Sequence, residues 1–223
     1  MRSDSEIKQD VEDELQRDPS IDATDVAVAA KNGVVTLTGY MSNYLHKLDA
    51  EEDAKRVAGV VGVANDIEVR LPFVDQRPDP EIARDAVAEI EKELSYSAQH
   101  VAVIVKGGWV TLEGNLDWDY QRRAAVNAVD GVRGVVGISN RIKLRPLAMP
   151  MEIGRKIEAA LKRSAEIDAN RITVETDGHE VTLKGTVRSW AERSEAERSA
   201  WAAPGVTKVE NRISVSVNAV TED

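Results

Sequence analysis

The sequence predicts an α+β protein of three tandem two-layer αββαβ units. Each unit is a three-stranded mixed sheet covered on one face by two helices. Three observations carry this reading. One short motif recurs, as Gly33-Val-Val-Thr-Leu-Thr-Gly39, Gly108-Trp-Val-Thr-Leu-Glu-Gly114 and His179-Glu-Val-Thr-Leu-Lys-Gly185. Its final glycines lie 75 and 71 residues apart, and the same offsets relate Ile7, Ile82 and Ile153, then Asn65, Asn140 and Asn211, then Ile67, Ile142 and Ile213. The copies therefore align without a gap over 61 residues, which makes each copy one supersecondary unit. Within every copy the apolar period switches from helical to alternating, back to helical, and again to alternating.

A first amphipathic helix opens each unit. Ile7, Val11 and Leu15 follow i, i+4, i+8 spacing, repeated as Ile153, Ile157 and Leu161. Pro80 stands near the start of the second copy's helix, where a missing N–H costs little. Val26, Val28 and Ala30 then alternate, Asn32-Gly33 turns the chain, and Val35 and Leu37 alternate again, which reads as a hairpin. Gly107-Gly108 and Asp177-Gly178 make the corresponding turns. The second helix has a small-residue inner face, Ala50, Ala54 and Val57 in copy one and Ala196, Ala200 and Ala203 in copy three, letting it lie close to a sheet. Gly59, Gly134 and Gly205 end it as left-handed glycines. The last strand is Val61, Val63, Ile67 and Val69 in copy one. The units are placed at 1–73, 79–146 and 150–220, with the proline-bearing connections Pro72–Pro80 and Pro146–Pro150 between them.

Composition narrows the chemistry. The chain has 223 residues, 29 Lys plus Arg against 39 Asp plus Glu, and a net charge of −10. An acidic surface does not attract phosphate backbones, so a general nucleic-acid binder is excluded. Gly59-Val-Val-Gly62 and Gly131-Val-Arg-Gly134 fit the GxxG loop of KH domains, but they fall at different repeat positions and the third copy has no match. Without cysteine there is no disulfide, thiolate metal site or thiol nucleophile. His46, His100 and His179 are too scattered to share a metal, and no acid–base pair stands out. We expect no catalytic residues, no metal and no cofactor. Acids begin at once after Met1 and no apolar stretch approaches a membrane span, so the chain as written is expected to be cytoplasmic and not integral to a membrane. A removed export signal would make it periplasmic.

The helix, the V-x-V run before a Gly turn, V-T-L-x-G and the closing G-V-x-x-V-x-N-x-I together resemble the BON domain, three times over nearly the whole chain. The resemblance implies a bacterial osmotic- or envelope-stress protein without catalytic activity, in relatives that are mostly periplasmic or at the outer membrane. It implies binding to phospholipid or a membrane interface, and one branch of the family senses potassium. A soluble protein–protein scaffold and a potassium-binding sensor are therefore carried as alternatives.

Two sets of residues stand out against that frame. Trp118, Tyr120 and Trp190 lie at the start of the second helix in copies two and three, with Tyr44 the counterpart of Asp119 and Trp190. Tyr and Trp favour boundaries between apolar and wet surroundings, so these four are candidates for lipid or partner contact. Charge is uneven: 8 basic and 15 acidic residues over 1–73, 9 and 9 over 81–145, 11 and 13 over 146–223. An anionic membrane is accordingly expected to meet copy two or three. The second set is the sheet face turned away from the helices. It reads Ala27, Ala29 and Val34 in copy one, Ala102, Ile104 and Trp109 in copy two, and Thr173, Glu175 and Glu180 in copy three. The first two faces are expected to cover each other, with Arg141, Lys143 and Arg145 opposite Asp66 and Glu68, while the third stays in water. Gly39, Gly59, Gly114, Gly134, Gly185 and Gly205 are read as structural glycines of the repeat. The inward-facing Asn65, Asn140 and Asn211 are expected to tie the last strand to a neighbouring loop.

Overall fold

A computed structural model describes residues 2–145, 153–164 and 168–216. Unit one comprises α1 (Asp4–Arg17), β1 (Val26–Lys31), β2 (Val34–Met41), α2 (Tyr44–Arg56) and β3 (Gly62–Val69). Unit two repeats the order as α3 (Asp79–Leu94), β4 (Val101–Lys106), β5 (Trp109–Leu116), α4 (Asp119–Asp130) and β6 (Gly137–Leu144). Unit three is α5 (Ile153–Arg163), β7 (Ile172–Asp177), β8 (Glu180–Val187), α6 (Trp190–Trp201) and β9 (Lys208–Val215). Each sheet runs in strand order one, two, three. The first pair is an antiparallel hairpin, and the second pair is parallel because a helix carries the chain back across the sheet. The register is the same in all three: Val28 faces Leu37, Val103 faces Leu112 and Val174 faces Leu183. The expected Pro146–Pro150 connection lies outside the described residues.

Local chemistry explains the elements. Ser3 caps α1, its hydroxyl accepting from the Glu6 amide at 3.2 Å while the Glu6 carboxylate accepts from the Ser3 amide at 2.7 Å. Ile7, Val11 and Leu15 are buried on one stripe, as are Ile82, Ala86 and Ile90 in α3 and Ile153, Ile157 and Leu161 in α5. The first turn of α1 also holds the hairpin. Asp4 accepts from the Asn32 and Gly33 amides at 2.9 and 3.0 Å, and Asp79 does the same for Gly107 and Gly108 at 2.8 and 2.9 Å. These donated bonds hold both carboxyls below their usual range. In unit three the turn is held differently, with the His179 ring 2.7 Å from the Gly205 carbonyl.

Gly39, Gly114 and Gly185 sit where the hairpin strand crosses the backbone leading into its partner. Their φ angles are +122°, +144° and +137°, and a Cβ there would stand 2.0, 1.9 and 1.9 Å from the carbonyl oxygens of Asp25, His100 and Arg171. No side chain fits, which is why the V-T-L motif ends in glycine. Asn65 and Asn211 tie the last strand to the second helix, where a loop was expected, whereas Asn140 is exposed rather than inward-facing and makes no such bridge. Asn65 donates to the Lys47 carbonyl at 2.9 Å and to Glu51 at 3.2 Å, and Asn211 to Arg193 at 3.4 Å and Glu197 at 2.8 Å. The inner face of α2 also differs from expectation. Asp53 is buried beside Ala50 and Ala54, while Val57 is only half-buried because the helix ends at Arg56.

Each unit has its own core, and the units meet through their second helices. Tyr44, first residue of α2, packs against the core of unit two. Its neighbour Leu45 lies over Gly131, just past the end of α4. Trp201, last residue of α6, packs against the cores of both units two and three, and the Arg122 guanidinium of α4 stacks on its ring at 4.3 Å. Trp190, first residue of α6, meets Lys55 near the end of α2, with the ammonium 5.7 Å from the ring centre. The start of each second helix thus meets the end of the next unit's second helix: α2 to α4, α4 to α6, and α6 to α2. The contacts close a head-to-tail ring of three. The equivalent positions are filled by unlike residues: Tyr44, Asp119 and Trp190 open the second helices, and Lys55, Asp130 and Trp201 stand at or near their ends.

Candidate binding surfaces

This ring corrects the expected sheet-to-sheet contact. Ala27, Ala29, Val34, Ala102, Ile104 and Trp109 are all exposed and do not cover one another. The expected charge pairs across that contact are absent as well. Arg141 pairs with Glu113 at 3.3 Å, Arg145 with Asp117 at 3.9 Å, and Glu68 with Arg70 at 3.0 Å, each within its own unit. The physical reason lies in the aromatics. Tyr44, Trp190 and Trp201 offer more apolar area to the helix side than the alanine-rich face of unit one offers to the sheet side.

The ring also divides the four aromatic candidates. Tyr44 and Trp190 are half-buried at unit junctions. Burial pushes the Tyr44 phenol up, against a hydrogen bond with the Ile138 backbone. Trp118 and Tyr120 are exposed at the start of α4, where Gln121 accepts from the Trp118 amide at 3.1 Å.

The three open sheet faces share a backbone and differ in chemistry. On unit two the rows are Lys106–Trp109–Gly137, Ile104–Thr111–Ser139 and Ala102–Glu113–Arg141, followed by Asn115–Lys143. Ile104 and Trp109 are 51% and 50% exposed. The Trp109 ring lies flat across Gly137, where an added Cβ would stand 2.4 Å from a ring carbon. Lys106, Arg141 and Lys143 are exposed on the same face. It is an apolar centre with cations at both ends. On unit one the same rows carry Lys31, Val34 and Gly62, then Ala29, Thr36 and Ala64, then Ala27, Thr38 and Asp66. Arg70 there stacks on Tyr40 at 4.1 Å. On unit three the face neutralises itself, Lys184 to Glu175 at 2.6 Å, Lys208 to Glu180 at 2.7 Å, and Arg212 to Glu210 at 2.8 Å. Reading the sequence singled out Trp109 but missed its seat, Gly137. The seat becomes visible only once the parallel register sets residue 109 beside residue 137.

A second contrast separates the first helices. α1 carries Asp4, Glu6, Asp10, Glu12, Asp13 and Glu14 against Lys8 and Arg17. α5 carries Arg155, Lys156, Lys162 and Arg163 against Glu158. Local composition held this signal, but the even charge of unit three as a whole concealed it. Among the described residues no three His, Asp or Glu side chains gather to hold a metal, and no helix is long and apolar enough to cross a membrane.

The comparisons agree with the repeat. The BON domain family matches residues 3–70, 78–146 and 152–216, one match per unit. Osmotically-inducible protein Y of Escherichia coli (strain K12) is 27% identical over 146 residues, covering 64% of this chain and 73% of that protein. Two solved structures of CdsD, a structural protein of the type III secretion system of Chlamydia trachomatis, align at 13% and 15% identity. They cover 96% and 93% of this chain and 100% and 91% of theirs, but TM-scores of 0.26 and 0.25 carry no argument about arrangement. With all three units matched, the chain belongs to the BON domain family and carries that domain three times in tandem.

Proposed function

We propose that this chain is a non-enzymatic binding protein of the osmotic-stress response that docks on anionic phospholipid interfaces through unit two. The observation that carries this reading is the open face of unit two, with Trp109 and Ile104 exposed at its centre and Lys106 and Lys143 on the same surface. A tryptophan held flat on glycine keeps its apolar ring in water at a cost that a lipid headgroup layer relieves. Each cation near an anionic surface adds about 1 kcal/mol, lost with salt. Trp118 and Tyr120 supply a second, smaller aromatic contact. The relationship to an osmotically inducible protein supports the stress setting.

The test is co-sedimentation with vesicles of phosphatidylglycerol and of phosphatidylcholine. Binding to the anionic vesicles alone is expected, weakened about tenfold in a Trp109→Ala/Lys143→Glu variant that melts like the parent. Equal binding by parent and variant excludes this face.

A further inference from the structure

The groove between the first and second helices is the same place in units one and three, but it is lined by three acids and two arginines in unit one and by basic residues without an acid in unit three. In unit three it is floored by Ala159, Ala160 and Ala203 and edged by Lys156 and Arg163. In unit one the positions of Lys156, Ala159 and Ala160 are taken by Asp10, Asp13 and Glu14, while Arg17 keeps the positive charge of Arg163 and Arg56 also lines the groove. One groove therefore has cations at its edge and a small, apolar floor. The other presents acids at the positions that are floor in its counterpart.

We propose that these two grooves bind each other between two copies of the chain, α1 of one copy lying along α5 of the other. Charge complementarity carries the choice of occupant. α1 has six acids and two bases, and α5 four bases and one acid. Alanines in the floor let a helix come close, as ridge-into-groove packing requires. An antiparallel approach also sets each helix dipole against its opposite. Each copy offers both halves once, so two copies joined by a two-fold axis satisfy both contacts together. The contact uses neither the open sheet faces nor the second-helix ring, so it is independent of lipid docking.

The test is sedimentation velocity at about 0.1 M and about 1 M salt, where screening lengths are about 10 Å and about 3 Å. A dimer that weakens about tenfold or more with salt is expected. Lys156→Glu/Arg163→Glu and Asp10→Lys/Asp13→Lys, each folded by thermal melt, are both expected to be monomers alone. Mixed together, they present two complementary grooves and are expected to dimerise. A parent that stays monomeric at both salt concentrations overturns the proposal, even if the Lys156→Glu/Arg163→Glu variant loses affinity for anionic vesicles. So does a mixture of the two variants that fails to associate.

Discussion

Units two and three have the same strands, the same register and the same glycine crossings, yet their open faces are opposites. At one pair of positions unit two has Ile104 and Trp109 where unit three has Glu175 and Glu180. In unit three, Lys184 and Lys208 are spent on those glutamates. In unit two, Lys106 and Lys143 flank apolar side chains. The repeat therefore separates two jobs. The backbone frame is fixed by residues common to all copies, and binding chemistry is written on positions that the frame leaves free. Function in this chain belongs to the differences between copies, because what the copies share is already occupied in folding.

The largest effects are expected where the copies agree. Alanine at Gly39, Gly114 or Gly185 puts a Cβ within 2.0 Å of a carbonyl oxygen. Each is expected to cost about 2 kcal/mol or more, similarly in all three units, in urea denaturation. A much milder loss in unit three alone would show that its frame is not equivalent. Next come the asparagines. Asn65 and Asn211 bridge to the second helix, whereas Asn140 is exposed and its side chain accepts from the Ile142 amide at 3.0 Å. Alanine is expected to cost about 1–2 kcal/mol at the first two and about 0.5 kcal/mol at Asn140. Equal costs at all three would remove this distinction between the units.

A separate contrast concerns pH. Asp53 is 1% exposed, and its counterparts are Ala128 and Ser199. Burial pushes its carboxyl up to about 6; Arg56 opposes this, and the charges of Asp18 and Glu14 add to it. A carboxyl whose folded pKa lies above its unfolded one holds its proton better when folded. Its share of stability is full below about pH 4 and is lost as pH rises toward about 6. Asp53→Asn cannot ionise and is expected to flatten that decline, raising the melting temperature of unit one at pH 7 relative to pH 4. An unchanged pH profile would mean that Asp53 ionises as freely as it does in the unfolded chain.

Much of this was legible in the sequence. The αββαβ order, the hairpin turns and the three cores follow from apolar period and from glycines that recur at fixed offsets. The way the units meet was not legible. Its residues, Tyr44, Trp190, Trp201 and Lys55, are at equivalent positions but do not recur as types, so no repeat signal marks them. The exposed face around Trp109 was read correctly as apolar and wrongly as covered. A patch of this size is tolerable in water when its residues are few and ringed by charge. Asp4 and Asp79 were invisible as hairpin anchors because the turn they hold lies 28 residues away in sequence.

The most direct test of the claim that binding resides in the unit-specific face is an exchange between units two and three. Ile104→Glu/Trp109→Glu gives unit two the character of unit three. Glu175→Ile/Glu180→Trp gives unit three an apolar centre and releases Lys184 and Lys208. Co-sedimentation with anionic vesicles is expected to be lost in the first variant and regained when the second pair is added. Undiminished binding by a folded Ile104→Glu/Trp109→Glu variant would contradict the account.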